Sequence, residues 1–222
     1  SFDDQYLDCS QRMSSMLFEV NITEFKSSEV YSNAWKKAAA EWQKKERPKV
    51  LSWEQATALM AYTLPGRISK VFNEATRQGG GSCQHYFCSY HFKGLHFLLS
   101  QALRTLRESQ PRRCYQVYRG VRGIRFTAQK GQSVRFGQFT SSSRQKKSTE
   151  RFGQDTLFSV ETCYGVPIKD FSFYPEEDEV LIPPSESFKV MEFTQNNGQS
   201  RIRLLSEGPF STCNCQLMKC NG

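Results

Sequence analysis

At residues 114–121 the chain reads CYQVYRGV, and that stretch divides it in two. Its tyrosines and valines suit a pleated, half-buried strand. From there on, SVRFGQFTS (133–141), TLFSVETCYG (156–165), EVLIP (179–183), SFKVMEFT (187–194) and RIRLLS (201–206) carry the same signature between Gly, Pro and Ser punctuation. Before it the pattern is helical. Ser27 and Ser28 stand as caps ahead of VYSNAWKKAAAEWQKKE (30–46), which Arg47-Pro48 stops. Ser52 caps SWEQATALMAY (52–62), and RISKVFNEATRQ (67–78) runs to a break at Gly79-Gly80-Gly81. Leu95, Leu98, Leu99, Ala102, Leu103 and Leu106 recur at helical spacing, which predicts the longest amphipathic helix over Tyr86 to Arg107. Helices first and strands after predict an α+β fold, not a parallel α/β sheet.

The chain has 222 residues, which fits a single domain over 1–222, mainly helical over 1–110 and mainly strands over 111–222. Lys and Arg number 30 against 22 Asp and Glu, a net charge of +8, yet only 23% of residues are charged and 13% are aromatic. That composition buries a core and excludes disorder by charge repulsion. No apolar run approaches the roughly 18 residues of a membrane span, and SFDDQYLDCS lacks the basic start and apolar stretch of a signal peptide, so the chain reads as soluble or trimmed to be soluble. The basic residues are scattered as RPK, RR, RQKK and RIR without a recognised module, so no nucleic-acid partner is expected, and the charge reads as steering of a small anion.

Eight cysteines (Cys9, Cys83, Cys88, Cys114, Cys163, Cys213, Cys215 and Cys220) form an even, scattered set that suits disulfides made in the secretory pathway. The sequon Asn21-Ile22-Thr23 agrees, with Asn21 as the expected glycosylation site. Cys83, Cys88, His91 and His96 invite a zinc test. Their spacing is not that of a finger, and His91 and His96 are five apart, off a common helical face. A Cys83–Cys88 disulfide or separate pairings is the stronger reading, with no metal.

Tyr174-Pro175-Glu176-Glu177-Asp178-Glu179-Val180-Leu181-Ile182-Pro183 is the sharpest local feature. Four consecutive acids alone describe a solvated loop. These run straight into an apolar strand, so Glu179 begins a partly buried element, and Glu177, two residues earlier, is expected to share its face. Two carboxylates that close titrate together, one holding a proton more tightly. One can then stabilise a sugar cation as a glycosidic bond breaks while the other takes a proton from the incoming nucleophile.

Two further runs carry polar groups on strands. In Val117-Tyr118-Arg119-Gly120, Gly120 allows close backbone approach to a ligand while the guanidinium forks onto phosphate. The plainer reading of such an arginine is a surface residue with its stem packed down. In Phe139-Thr140-Ser141-Ser142-Ser143, hydroxyls at a strand end ordinarily serve the backbone.

None of the three runs is specific alone, but in this order YRG, FGQFTSSS and EEDEVLIPP resemble the arginine, serine and Glu-X-Glu triad of the vertebrate ecto-mono-ADP-ribosyltransferases. The resemblance extends from FDDQY near the start, through MAYT and VFN, to FSFYPEEDEVLIPP. It implies a helical N-terminal half packed on a strand-rich half that forms an NAD cleft, and transfer of ADP-ribose from NAD to arginine side chains. NAD, or the related NADP, enters as co-substrate and no metal is needed. By the same resemblance Arg119 anchors NAD, and Ser141 holds the nicotinamide ribose and orients Glu179. Glu179 stabilises the oxocarbenium-like transition state, and Glu177 readies the incoming arginine. Tyr62, Gly120, Gln138 and Ser172 line the NAD pocket, and Tyr174 sits in the loop that meets targets.

The family's two disulfides map onto Cys9 with a C-terminal cysteine, taken as Cys213, and Cys114 with Cys163; Cys83, Cys88 and the remaining cysteines are additional. The resemblance further implies a monomer at the cell surface, held by a lipid anchor, or secreted, with arginine-bearing extracellular proteins as targets. Hydrolysis of NAD without transfer, or a catalytically silent binding module, are the alternatives the residues leave open.

Overall fold

The computed structural model describes residues 1–45, 50–111 and 113–219; the Arg47-Pro48 helix stop and Cys220, Asn221 and Gly222 lie outside them. The chain forms two compact units. One is helical and takes Ser1–Leu106, Asp170–Phe173 and the segment from Ser211 onward. The other is a sheet unit made of Arg107–Lys169 and Tyr174–Phe210. The helical unit thus reaches past residue 110 at two places.

Helix α1 spans Ser10–Ser27, α2 Glu29–Trp42, α3 Trp53–Thr63, α4 Ile68–Gln78, α5 Cys83–Ser89 and α6 Lys93–Ser109. The caps read from the sequence are present. The Ser28 hydroxyl accepts from the Tyr31 amide, and Ser52 and Gln55 form a reciprocal capping box. α1 has no side-chain cap, and the sequence reading began only at its end.

The helix expected over Tyr86 to Arg107 is two helices. Tyr90 is extended, with φ −94° and ψ 96°, and the buried Glu24 carboxylate accepts from the backbone amides of Lys93 at 2.6 Å and Gly94 at 3.0 Å. A carboxylate from α1 therefore takes the N-terminal amides of α6, and a fresh helix starts there. Burial raises the Glu24 pKa to about 7 against the pull of those two amides and of the Lys93 ammonium, 3.9 Å away.

Asn21 sits in the same cluster, which overturns the glycosylation expectation. It is buried in the middle of α1, its Oδ1 accepts from the Tyr31 hydroxyl at 3.0 Å, and a Cβ on Gly94 would lie 2.0 Å from that oxygen. A glycan has no room there.

His96 is a core residue. Its ring bonds the Tyr6 hydroxyl at 2.9 Å and the Phe2 carbonyl at 3.1 Å, within rings that include Phe2, Tyr90 and Phe72. Burial lowers its pKa to about 3. Among the described residues no group of three or more His, Cys, Asp or Glu side chains could hold a metal.

The run FDDQY fastens the two ends of the helical unit. Asp3 accepts from the amides of Thr212 and Cys213, and Asp4 from those of Cys215 and Gln216 at 2.9 and 2.8 Å, the latter opening the short helix α8, Gln216–Lys219. This arrangement corrects the disulfide assignment. Cys9 bonds Cys215, and Cys213 is a buried free thiol, because the Asp3 contacts turn it inward while Cys215, at φ 55°, turns toward Cys9. Cys114–Cys163 is bonded as the resemblance implied. Cys83 is also disulfide-bonded while Cys88 is an exposed free thiol, so those two do not pair; both sit on the one short helix α5.

The sheet unit contains β1 Tyr115–Val121, β2 Ser133–Arg135, β3 Thr140–Ser143, β4 Thr156–Thr162, β5 Val166–Pro167, β6 Glu179–Ile182, β7 Glu186–Asn196 and β8 Gln199–Pro209. They order as β2-β7-β8-β4-β1-β3-β6-β5, with β4 and β8 parallel and the other pairs antiparallel. Val117, Phe158, Val160, Val180, Ile182, Phe188, Val190 and Ile202 form its buried cluster. Each contributes from alternate positions of a strand, which is what the sequence signature encodes. Beside Cys163, the fully buried Glu186 accepts from the Thr162 and Ser206 hydroxyls and from the amides of Cys163 and Tyr164. Burial raises its pKa, and these four donors hold it back.

Candidate active site

Across β6, β3 and β1 the register places Glu179 opposite Ser143 and Ser143 opposite Tyr118. Residues directly opposite share a face of the sheet, so these three form one row, with Ser141 two positions along β3 on the same side. β1 and β3 meet through that single pair, and the Arg119 guanidinium bridges the strands by donating to the Ser141 carbonyl at 2.7 Å. A small recess of about 40 Å³ results, lined by Tyr118, Arg119, Ser141, Ser143, Glu177 and Glu179. Pockets for whole drug-sized ligands run to roughly 300 Å³ or more, so this one holds only a reacting centre.

The four residues singled out from the sequence, Arg119, Ser141, Glu177 and Glu179, are thus brought together, but by a different device from the one expected. Of the two acids, only Glu179 is on a strand, where it is buried. Glu177 closes a single 3-10 turn, Pro175–Glu177, opened by a proline at its first position and joined to β6 by Asp178 in the left-handed conformation, φ 48° and ψ 48°. The two acids therefore meet across a tight reversal and not as neighbours on one pleat.

Two residues to which the sequence reading gave no place in the site, Arg144 and Ser143, the latter read there as serving the backbone, hold that reversal. The Ser143 hydroxyl donates to the Glu177 carbonyl at 2.7 Å. Arg144 clasps the Asp178 carboxylate with two guanidinium nitrogens, and its amide donates to the Asp178 carbonyl at 3.3 Å. An aspartate directly before a buried strand, with an arginine just after the serine run, was the available signal.

Gly120 has a packing role that the sequence reading did not include. A Cβ there would lie 2.3 Å from the Gly153 carbonyl oxygen and 2.6 Å from that of Thr149. Its missing side chain lets the short helix α7, Thr149–Phe152, lie on β1, so the close approach serves the chain's own backbone. Gln138, half-buried between β2 and β3, has its carbonyl bonded by the Thr140 hydroxyl, and Tyr174 opens the turn that carries Glu177.

Tyr62 and Ser172 belong to the helical unit. Tyr62 is buried near the end of α3, its hydroxyl accepting from Asn73 at 3.1 Å. Ser172 is buried too, in a segment held there by Phe173 donating to Thr63, by Lys45 donating to the Ser172 carbonyl, and by Phe171 against Trp42. The end of α3 therefore organises both residues within that unit.

A family model described as NAD:arginine ADP-ribosyltransferase matches residues 1–212. The chain is 60% identical to "NAD(P)(+)--arginine ADP-ribosyltransferase 1" of Gallus gallus, over 100% of this chain and 72% of the relative. It is 42% identical to "GPI-linked NAD(P)(+)--arginine ADP-ribosyltransferase 1" of Mus musculus, over 99% of this chain and 72% of that one. Among solved structures it resembles the eucaryotic mono-ADP-ribosyltransferase ART2.2, with a TM-score of 0.83, 36% identity and coverage of 97% and 95% of the two chains. A mutant of that enzyme was solved in complex with NAD, at 34% identity, the same coverage and a TM-score of 0.78.

Proposed function

Because the chain belongs to the NAD:arginine ADP-ribosyltransferase family, we infer that it transfers ADP-ribose from NAD to arginine side chains of proteins and releases nicotinamide. Relatives named for NAD(P)(+) extend the reading to NADP. The observation that carries the site assignment is the common recess of Arg119, Ser141, Glu177 and Glu179.

In this reading the bond between nicotinamide and C1 of its ribose breaks, nicotinamide leaves with the electron pair, and the sugar passes through an oxocarbenium-like state. Glu179, buried at the start of β6, puts its carboxylate beside that positive charge, where low dielectric strengthens the attraction, and bonds the ribose 2′-OH. Arg119 and Ser141 hold the dinucleotide. A free guanidinium stays protonated to about pH 12 and above, so the target arginine attacks only as Glu177 accepts its proton. Attack from the face opposite nicotinamide inverts C1. Gln138 lines the dinucleotide's path, and Tyr174 meets the target.

The family match over 1–212 includes both compact units, which supports reading 1–222 as a single catalytic domain. The disulfides Cys9–Cys215 and Cys114–Cys163, and the GPI-linked relatives of mouse and human, support an extracellular, cell-surface setting, with a lipid anchor and a monomeric enzyme as the finer proposals. Among the described residues no helix is long and apolar enough to cross a membrane.

The test is incubation with labelled NAD and agmatine. ADP-ribosyl-agmatine is the expected product. Release of ADP-ribose alone would make the protein a glycohydrolase, and no turnover a silent module. Glu179→Gln should abolish both transfer and hydrolysis, whereas Glu177→Gln should remove chiefly transfer; undiminished turnover in Glu179→Gln would refute the assignment.

A further inference from the structure

The row that starts at Glu179 does not end at Tyr118. Tyr118 lies opposite Ser159 on β4, Ser159 beside Arg203 on β8, and Arg203 opposite Glu192 on β7. Six strands therefore present one line on one face of the sheet unit, with Glu179 near one end and Arg203 four strands away. One residue row over, Leu157 lies beside Arg201, and Arg201 opposite Thr194.

These side chains floor an open groove of about 370 Å³ whose wall is Lys146 and Thr149, and Tyr118 is common to it and to the recess of the two glutamates. Lys146, Arg201 and Arg203 face a single acid, Glu192. All four are exposed, and the three cations make no ion pair among the described residues. The groove continues past Glu192 and Arg203 to Lys130 and the exposed Met191, which adds a fourth cation and an apolar contact.

We propose that this groove docks an acidic, extended segment of the protein whose arginine is modified. The inference rests on the transferase reading, since only a protein acceptor brings a polypeptide past Tyr118. Three cations without an ion pair among the described residues, of which Arg201 donates only to the neutral Gln199 Oε1 at 2.9 Å, attract carboxylates to a concave polar surface. Glu192 in the floor and the apolar Leu157 and Met191 favour a mixed peptide over a uniform polyanion such as a sulfated glycan. The spacing sets a register. Four strand-to-strand steps of about 4.8 Å put Arg203 about 19 Å from Glu179, which an extended chain at about 3.3 Å per residue covers in about six residues. Acidic residues about six positions from the modified arginine should therefore improve an acceptor.

The probes are agmatine and two peptides with one arginine each, carrying aspartates about six residues away or asparagines in their place. With the wild-type protein, KM for the acidic peptide should be lower by roughly three- to tenfold at low salt, and the advantage should shrink toward about 0.5 M NaCl. Arg203→Glu and Arg201→Glu should erase that advantage while leaving agmatine turnover unchanged. Arg203→Glu should instead favour a peptide with lysines in place of the aspartates, a reversal that mere misfolding cannot produce. Equal KM values for the two peptides, or agmatine turnover falling in step with peptide turnover, would overturn the proposal while leaving the transferase reading intact. Heparin fragments competing where the acidic peptide does not would also overturn it, in favour of a glycan. Absence of transfer to agmatine by the wild-type protein would overturn both.

Discussion

The Ser143 hydroxyl donates to the Glu177 carbonyl at 2.7 Å while the Ser143 backbone pairs with Glu179, so one serine ties the turn that carries the first acid to the strand that carries the second. The same oxygen accepts from the Gln145 amide at 3.0 Å. Ser143→Ala removes the tether and leaves the ladder. Arginine transfer, which needs Glu177 in place, should fall by roughly tenfold, the size of one lost buried hydrogen bond of about 1.4 kcal/mol, while NAD hydrolysis through Glu179 changes less. The ratio of ADP-ribosyl-agmatine to free ADP-ribose measures this, and an unchanged ratio would show that Ser143 does not position Glu177.

Gly120→Ala tests whether that glycine serves the fold. The added methyl meets two carbonyl oxygens at 2.3 and 2.6 Å, and both are backbone, so relief requires α7 to lift off β1. A loss of about 2–3 kcal/mol is expected, read as a lower midpoint in denaturant. A variant of native stability with weakened NAD binding would return Gly120 to a ligand-contacting role.

Glu24 and His96 give stability two opposed pH dependences. Glu24 is raised in the folded state to about 7 from 4.5, so the folded protein holds the extra proton between those values, and stability falls as pH rises through the window, by up to about 3 kcal/mol in all. His96 is lowered to about 3 from 6.5; the unfolded chain takes up its proton first, and stability falls as pH drops through 6.5 toward 3. Where the windows overlap the slopes oppose. Glu24→Gln should leave the slope below about pH 4.5 intact and, with the His96 contribution no longer opposed, turn the nearly level stretch between pH 4.5 and 6.5 into a rise with pH, measured by denaturant melts at each pH. A slope in the variant equal to wild type would remove Glu24 as its source.

Cys215→Ser opens a disulfide of sequence separation 206, worth roughly 5 kcal/mol by chain entropy, and also unpairs Cys9. Cys213→Ser breaks no disulfide and should cost about 1–2 kcal/mol for a hydroxyl in a thiol's buried place. Thermal melts of the two variants rank them, and equal losses would contradict the Cys9–Cys215 pairing.

What the sequence made legible was what neighbouring residues decide. Ser52 with Gln55 and the alternation around Val117 and Val160 are local signals, and each element lies where they put it. What escaped depends on partners far along the chain. Continuous leucine spacing concealed the break before Lys93, because the carboxylate that starts α6 comes from Glu24, 69 residues earlier. Cys213 and Cys215 look alike until Asp3 fixes which of them turns inward. The sequon at Asn21 is a pattern of three residues, and only Tyr31 and Gly94 show that its side chain is already engaged. The pleat assumed between Glu177 and Glu179 failed at Asp178, whose left-handed backbone is stabilised by Arg144 from another strand's end.

β6 lies inside the excursion that leaves β4 at Thr162 and returns as β8, parallel to it, with Thr156 beside Ser200. Parallel neighbours cannot be zipped from a hairpin, so the edge on which β8 docks waits until the whole intervening stretch has emerged and folded back. Synthesis delivers Arg119 and Ser141 early and Glu179 late. On the proposed reading, a nascent chain is therefore expected to turn over no dinucleotide until β8 has docked and the sheet has closed.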